Sequence, residues 1–80
     1  MAPRDILGEV RRTPFEPFAL VLADGAKYDI HHPDQCMVMA RDVVIGEVAD
    51  ETSNPFIDYT IKISCWNVVR IERAAELAAV

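Results

Sequence analysis

Apolar positions recur at the strand period of two from Phe18 onward, most cleanly over residues 56–63, and take helical spacing near the start of the chain. Phe18, Leu20 and Leu22 fall on one face of an extended segment, with Ala19, Val21 and Ala23 on the other. After Asp24-Gly25, the run Ala26-Lys27-Tyr28-Asp29-Ile30 alternates again, Tyr28 and Ile30 being apolar and Lys27 and Asp29 charged. A two-residue loop would set Leu22 opposite Lys27 and Leu20 opposite Asp29. A loop of Ala23-Asp24-Gly25 instead pairs Leu22 with Ala26, Leu20 with Tyr28 and Phe18 with Ile30, and keeps one face wholly apolar. The pattern therefore predicts a type I turn with Gly25 in the left-handed region as a bulge, a conformation open to Gly without steric cost.

Upstream, Pro3 at an early helical position, Asp5 and Glu9 near the start and Arg11-Arg12 at the end match a short helix over about residues 3–12. Ile6, Leu7 and Val10 give it one apolar stripe, and Pro14 should end it by Arg12. Downstream, His32-Pro33-Asp34 breaks the second strand, and Met37-Val38-Met39-Ala40 resumes before an Arg41-Asp42 corner and the run Val43-Val44-Ile45-Gly46-Glu47-Val48. Residues 49–55 read as a polar, acidic loop. Phe56-Ile57-Asp58-Tyr59-Thr60-Ile61-Lys62-Ile63 then alternates cleanly, with Ile57, Tyr59, Ile61 and Ile63 expected inside. Cys65-Trp66-Asn67 interrupts, Val68-Val69-Arg70-Ile71-Glu72 forms a last strand, and residues 73–80 read as a frayed or briefly helical tail.

These elements predict a mainly β chain forming one domain over residues 1–80, its strands lying between about residues 17 and 72. The expected architecture is a small, strongly bent, five-stranded antiparallel barrel, SH3-like or Sm-like, with a short N-terminal helix. An open antiparallel sheet with the helix on one face is the alternative.

Arg12-Thr13-Pro14-Phe15-Glu16-Pro17-Phe18, Asp24-Gly25, His32-Pro33 and the closing Val69-Arg70-Ile71-Glu72 occur in that order. In this respect the chain resembles a group of short bacterial proteins with an R-P-F-x-P-F segment, a D-G turn, an H-P corner and a terminal R-I-E strand, to which no activity is assigned. The resemblance runs from about Arg12 to Glu72; Thr13 is an insertion in it, and the 49–55 loop is longer than usual. It implies a compact β domain and adds no chemistry.

Size and charge narrow the function. The chain has 80 residues, of which 51% are hydrophobic, enough for one core but leaving little room for an enclosed catalytic cavity. Thirteen acidic against eight basic residues give a net charge of −5, so the averaged field repels phosphate backbones and anionic lipid, and nucleic acid is disfavoured as a partner. Neither a signal peptide nor a membrane-spanning apolar run is visible, so a cytoplasmic location is expected. Cys36 and Cys65 then read as reduced, packed thiols.

His31, His32, Cys36 and Cys65 include every nitrogen or sulfur side chain suited to zinc, but adjacent strand residues point to opposite faces and no C-x-x-C or H-x-x-x-H pair exists. No metal or cofactor is expected. Cys36 near His32 and Asp34 could mimic a nucleophile with its base and orienter. Against this, Pro33-Asp34 is ordinary turn chemistry, Cys36 opens an apolar strand, and no enzyme is expected. Met37, Met39 and Trp66 are expected in the core, and Phe15 and Phe18 to clamp the helix onto it. The leading expectation is a non-catalytic protein-interaction or self-association module, with Val43-Val44-Ile45 supplying surplus apolar surface for a homo-oligomer. An Sm-like oligomeric RNA binder using Arg41 or Lys62 is the alternative.

Overall fold

The computed structural model describes residues 1–47 and 57–73; the expectations for the 49–55 loop and the 74–80 tail lie outside the described residues. The fold is mainly β. Among the described residues helix α1 (Pro3–Val10) precedes six strands, β1 (Phe18–Leu22), β2 (Lys27–Ile30), β3 (Cys36–Val38), β4 (Asp42–Glu47), β5 (Tyr59–Ser64) and β6 (Val68–Arg73). They form two three-stranded antiparallel sheets, ordered β2-β1-β6 and β3-β4-β5, rather than the five strands expected. One-turn 3₁₀ helices at Pro33–Gln35 and Cys65–Asn67 carry the chain between the sheets.

The β1–β2 register is the one that apolar alternation requires: Phe18 faces Ile30 and Leu20 faces Tyr28. Gly25 has φ 92°, and the turn closes through Gly25 N–H to Leu22 O at 3.0 Å and Leu22 N–H to Ala26 O at 2.8 Å. Asp24 Oδ1 accepts Ala26 N–H at 2.9 Å, the side-chain turn bond for which Asp is suited.

Phe18, Leu20, Leu22, Ile30 and Val68 of the first sheet meet Cys36, Val43, Ile45 and Ile63 of the second, with Cys65 from the connecting turn. Ile6 of α1 is fully buried in this core. The Phe15 and Phe18 rings pack tilted, centroids 6.0 Å apart, and Phe15 leans on the same core. Strand β1 is central and buried on both faces.

On its outer side Ala19 lies between Asp29 and Glu72, and Val21 between Lys27 and Arg70. Long charged arms thus roof two small apolar residues, and Lys27 Nζ to Glu72 Oε2 at 2.6 Å ties the roof together, with Arg70 also bonded to Glu72. These two cations hold the Glu72 carboxyl below the usual range, Lys27 more than Arg70.

Met37 and Met39, expected in the core, are exposed, because Cys36 and Val38 take the inward phase of β3 opposite Ile45 and Val43. Trp66 is exposed as well: in its single 3₁₀ turn, the neighbouring Cys65 and Val68 occupy the inward positions. Along β5 only Ile63 is buried; Ile61 is half-buried, and Tyr59 and Ile57 are exposed. Ile57 leaves the inward face and lies over Gly46, where a β-carbon would stand 2.6 Å from Ile57 Cδ1.

Candidate interaction surface

Three turns converge at one end of the molecule. Ala23 N–H, in the Asp24-Gly25 turn, donates to Asn67 O at 3.0 Å, and Cys65 N–H donates to Arg41 O, in the β3–β4 turn, at 2.9 Å. Ser64 Oγ accepts Trp66 N–H at 3.3 Å and caps the 3₁₀ turn. The end is built of backbone hydrogen bonds between segments remote in sequence, so the side chains it carries are presented on a fixed frame.

Those side chains are apolar. Trp66 is 64% exposed, Val69 54% and Met39 45%. Val69 is pushed out because β6 bulges there: Leu22 pairs with Val68 and Val21 with Arg70, leaving Val69 without a cross-strand partner. Arg41 is exposed at the same end and forms no ion pair among the described residues. Trp, Met and Arg are the residue types enriched where proteins bind proteins.

The polar residues considered for chemistry are dispersed. Cys36 and Cys65 are free thiols inside the core, while His31 and His32 are exposed at the corner between the sheets. Burial, reinforced by the neighbouring Cys65, pushes the Cys36 thiol up to about 11, and burial followed by the Asp42 charge also raises Cys65. Neither is arranged as a thiolate nucleophile. Among the described residues no group of three or more His, Cys, Asp or Glu is placed to hold a metal ion.

A shallow depression of about 190 Å³ on the outer side of the first sheet is lined by Pro17, Ala19, Asp29, His31 and Glu72 among others. It exists because Ala19 is short between two longer neighbours, and it is smaller than the roughly 300–1,000 Å³ of small-molecule sites.

Gln35, not singled out in the sequence, proves to organise the His-Pro corner. Its Oε1 accepts His31 N–H at 2.8 Å and His32 N–H at 3.0 Å, and its Nε2 donates to Gly46 O at 3.2 Å. One buried amide thereby fixes the bend between the sheets. The only sequence hint was a polar residue standing directly before an apolar strand.

A second such device joins α1 to β6. Arg73 Nε donates to both Glu9 carboxylate oxygens, at 3.1 and 3.2 Å, and Arg73 Nη2 bonds Oε1 as well. The Arg73 bond, aided by Arg12, holds the buried Glu9 carboxyl below its usual range. No helix among the described residues is long and apolar enough to cross a membrane. Compared with family models, curated proteins and solved structures, the chain matches none.

Proposed function

We propose that this chain is a non-catalytic protein-interaction module, and that its two sheets are halves of one strongly bent barrel of the SH3-like or Sm-like kind. The barrel reading is supported by the two 3₁₀ turns, through which β2 runs into β3 and β5 into β6. The reading of function rests on one observation: Trp66, Val69 and Met39 are exposed on or beside three turns that are tied together through the Cys65–Asn67 turn. Exposed apolar side chains on a fixed frame are what a partner buries, and Trp is among the residue types enriched at such anchors. Both thiols are free and buried, which suits a reducing, cytoplasmic compartment.

The alternative, an RNA-binding ring, is less well supported. Lys62, one of its two cations, is 3.6 Å from Asp42 of its own chain, and the protein carries net −5.

The test is affinity capture on the full chain, comparing wild type with Trp66→Ala and Met39→Ala. Both residues are surface-exposed, so the variants should melt like wild type yet lose the captured protein. Identical capture by all three would remove the reading. So would salt-sensitive binding of labelled single-stranded RNA that depends on Arg41.

A further inference from the structure

The two sheets have four edges, and three are protected. β2 carries charged Lys27 and Asp29 and ends at the Pro33 corner. β6 carries Arg70, Glu72 and Arg73 and is broken by a bulge. β3 is three residues long. Charges, bulges, prolines and shortness are the devices by which proteins keep sheet edges from pairing. β5 lacks most of them. It runs six residues, pairs with β4 at every one without a register shift, has no proline, and carries a single charge, Lys62. Among the described residues no strand flanks its other side. The apolar face at this edge is also incompletely covered, with Tyr59 54% exposed and Ile61 half-buried.

We infer that two copies of the chain pair antiparallel through the free edges of β5, about a two-fold axis at Thr60, giving a continuous six-stranded sheet. Register follows from the side chains. A two-fold axis normal to the sheet keeps each copy's faces aligned, so a residue must sit opposite its own copy at the axis. An axis at Lys62 opposes two ammonium groups, and one at Ile61 leaves Lys62 against Thr60 and Tyr59 against the already buried Ile63. An axis at Tyr59 sets the charged Asp58 against Thr60. With the axis at Thr60, Lys62, which also lies 3.6 Å from Asp42 of its own chain, faces Asp58 of the second copy, and Tyr59 faces Ile61. That register alone pairs unlike charges and covers both the exposed Tyr59 and the half-buried Ile61.

This inference rests on the interaction reading and names one partner, a second copy of this chain, at a surface separate from the Trp66 end. An edge-to-edge contact of one short strand belongs to the weak class, below about 1,200 Å² of buried surface, so association is read up to ~1 mM protein.

The decisive experiment is site-directed cross-linking of the full chain with sedimentation velocity. Opposed Cα atoms at the axis are about 4.5–5.5 Å apart, within disulfide reach. Thr60→Cys should therefore give a disulfide-linked dimer on mild oxidation. Lys62→Cys should not, because its two copies lie four residues out of register, roughly 13 Å. Native Cys36 and Cys65 are buried and leave the assay clean. Tyr59→Lys should weaken the dimer at least about tenfold with an unchanged melting temperature, by burying an unpaired ammonium group.

A strict monomer at 1 mM, or cross-linking at 62 in place of 60, overturns the inference. Neither outcome bears on capture at the Trp66 end, where Tyr59→Lys should behave as wild type. Capture unchanged by Trp66→Ala with the dimer intact would mark the opposite failure.

Discussion

Replacing Gln35 by Ala tests whether one buried amide holds the bend between the sheets. The substitution removes all three hydrogen bonds of the side chain. His31 and His32 are exposed, so water can reach their freed N–H groups, and each bond there contributes a net of about 0.5–1.5 kcal/mol. Gly46 is buried, so its carbonyl loses a partner that water does not readily replace, at a further cost of about 1–3 kcal/mol. Allowing for partial rescue by water, the total is about 2–4 kcal/mol, against a stability of roughly 4–12 kcal/mol for a chain of this length. Near the transition that lowers Tm by about 10–25 °C.

Urea unfolding should show a lower midpoint with an unchanged m-value, since the surface exposed on unfolding stays the same. Gln35→Glu sharpens the test. It keeps an acceptor for His31 and His32 but turns a second acceptor toward the Gly46 carbonyl, so it should be destabilised at neutral pH and partly recover when the carboxyl is protonated. A cost below about 0.5 kcal/mol for Gln35→Ala would refute the role assigned to this residue, because a single typical bond already contributes more.

Glu9→Gln should lower stability by about 1 kcal/mol, a figure discounted because Arg73 is 39% exposed. The Glu9 carboxyl is held below its ordinary value of 4.5, so its contribution is complete above that pH and disappears as pH falls through the lowered value. The gap in urea midpoint between wild type and variant should therefore be constant near neutrality and close below pH 4.5; a gap that widens in acid contradicts the assignment. Cys36, at about 11, is only about one part in a thousand thiolate at pH 8, so a thiol reagent should label it only as fast as the protein opens, and stoichiometric labelling within seconds would show the site to be accessible. Gly25→Ala should cost about 1 kcal/mol, because φ 92° strains any residue with a β-carbon, and an unchanged melting curve would argue against the turn geometry.

What could be read from the sequence followed from alternation bounded by a turn. Phe18, Leu20 and Leu22 against Tyr28 and Ile30 permit one register with a clean apolar face, and Gly25 supplies the turn that register needs. Cys36-Met37-Val38-Met39 carries no such information, because every position is apolar and a run without alternation has no phase. The assignment of Met37 and Met39 to the interior failed there. β5 shows a different limit: alternation says which side a residue faces, and coverage of that side depends on whether the opposite sheet extends that far. Among the described residues Ile63 is covered and Tyr59 is not. Burial of Gln35 was illegible for the same reason, since it depends on Gly46, eleven residues away.

The misplaced residues err in one direction, and that bears on function. Met37, Met39, Ile57, Tyr59 and Trp66 were all expected inside, and all lie at the surface. The core of a domain this small is filled by one to three side chains from each strand, so apolar residues in excess of that number have nowhere inside to go. Isolated exposed apolar residues are ordinary. Here Met39 and Trp66 lie at the three-turn end, Ile57 and Tyr59 at the start of β5 and Met37 on β3, while on the outer face of the first sheet four charged side chains cover Ala19 and Val21. Among the described residues the outer face of one sheet is thus covered by charged side chains while the other sheet leaves apolar side chains exposed, which is the feature the proposed interaction reading builds on.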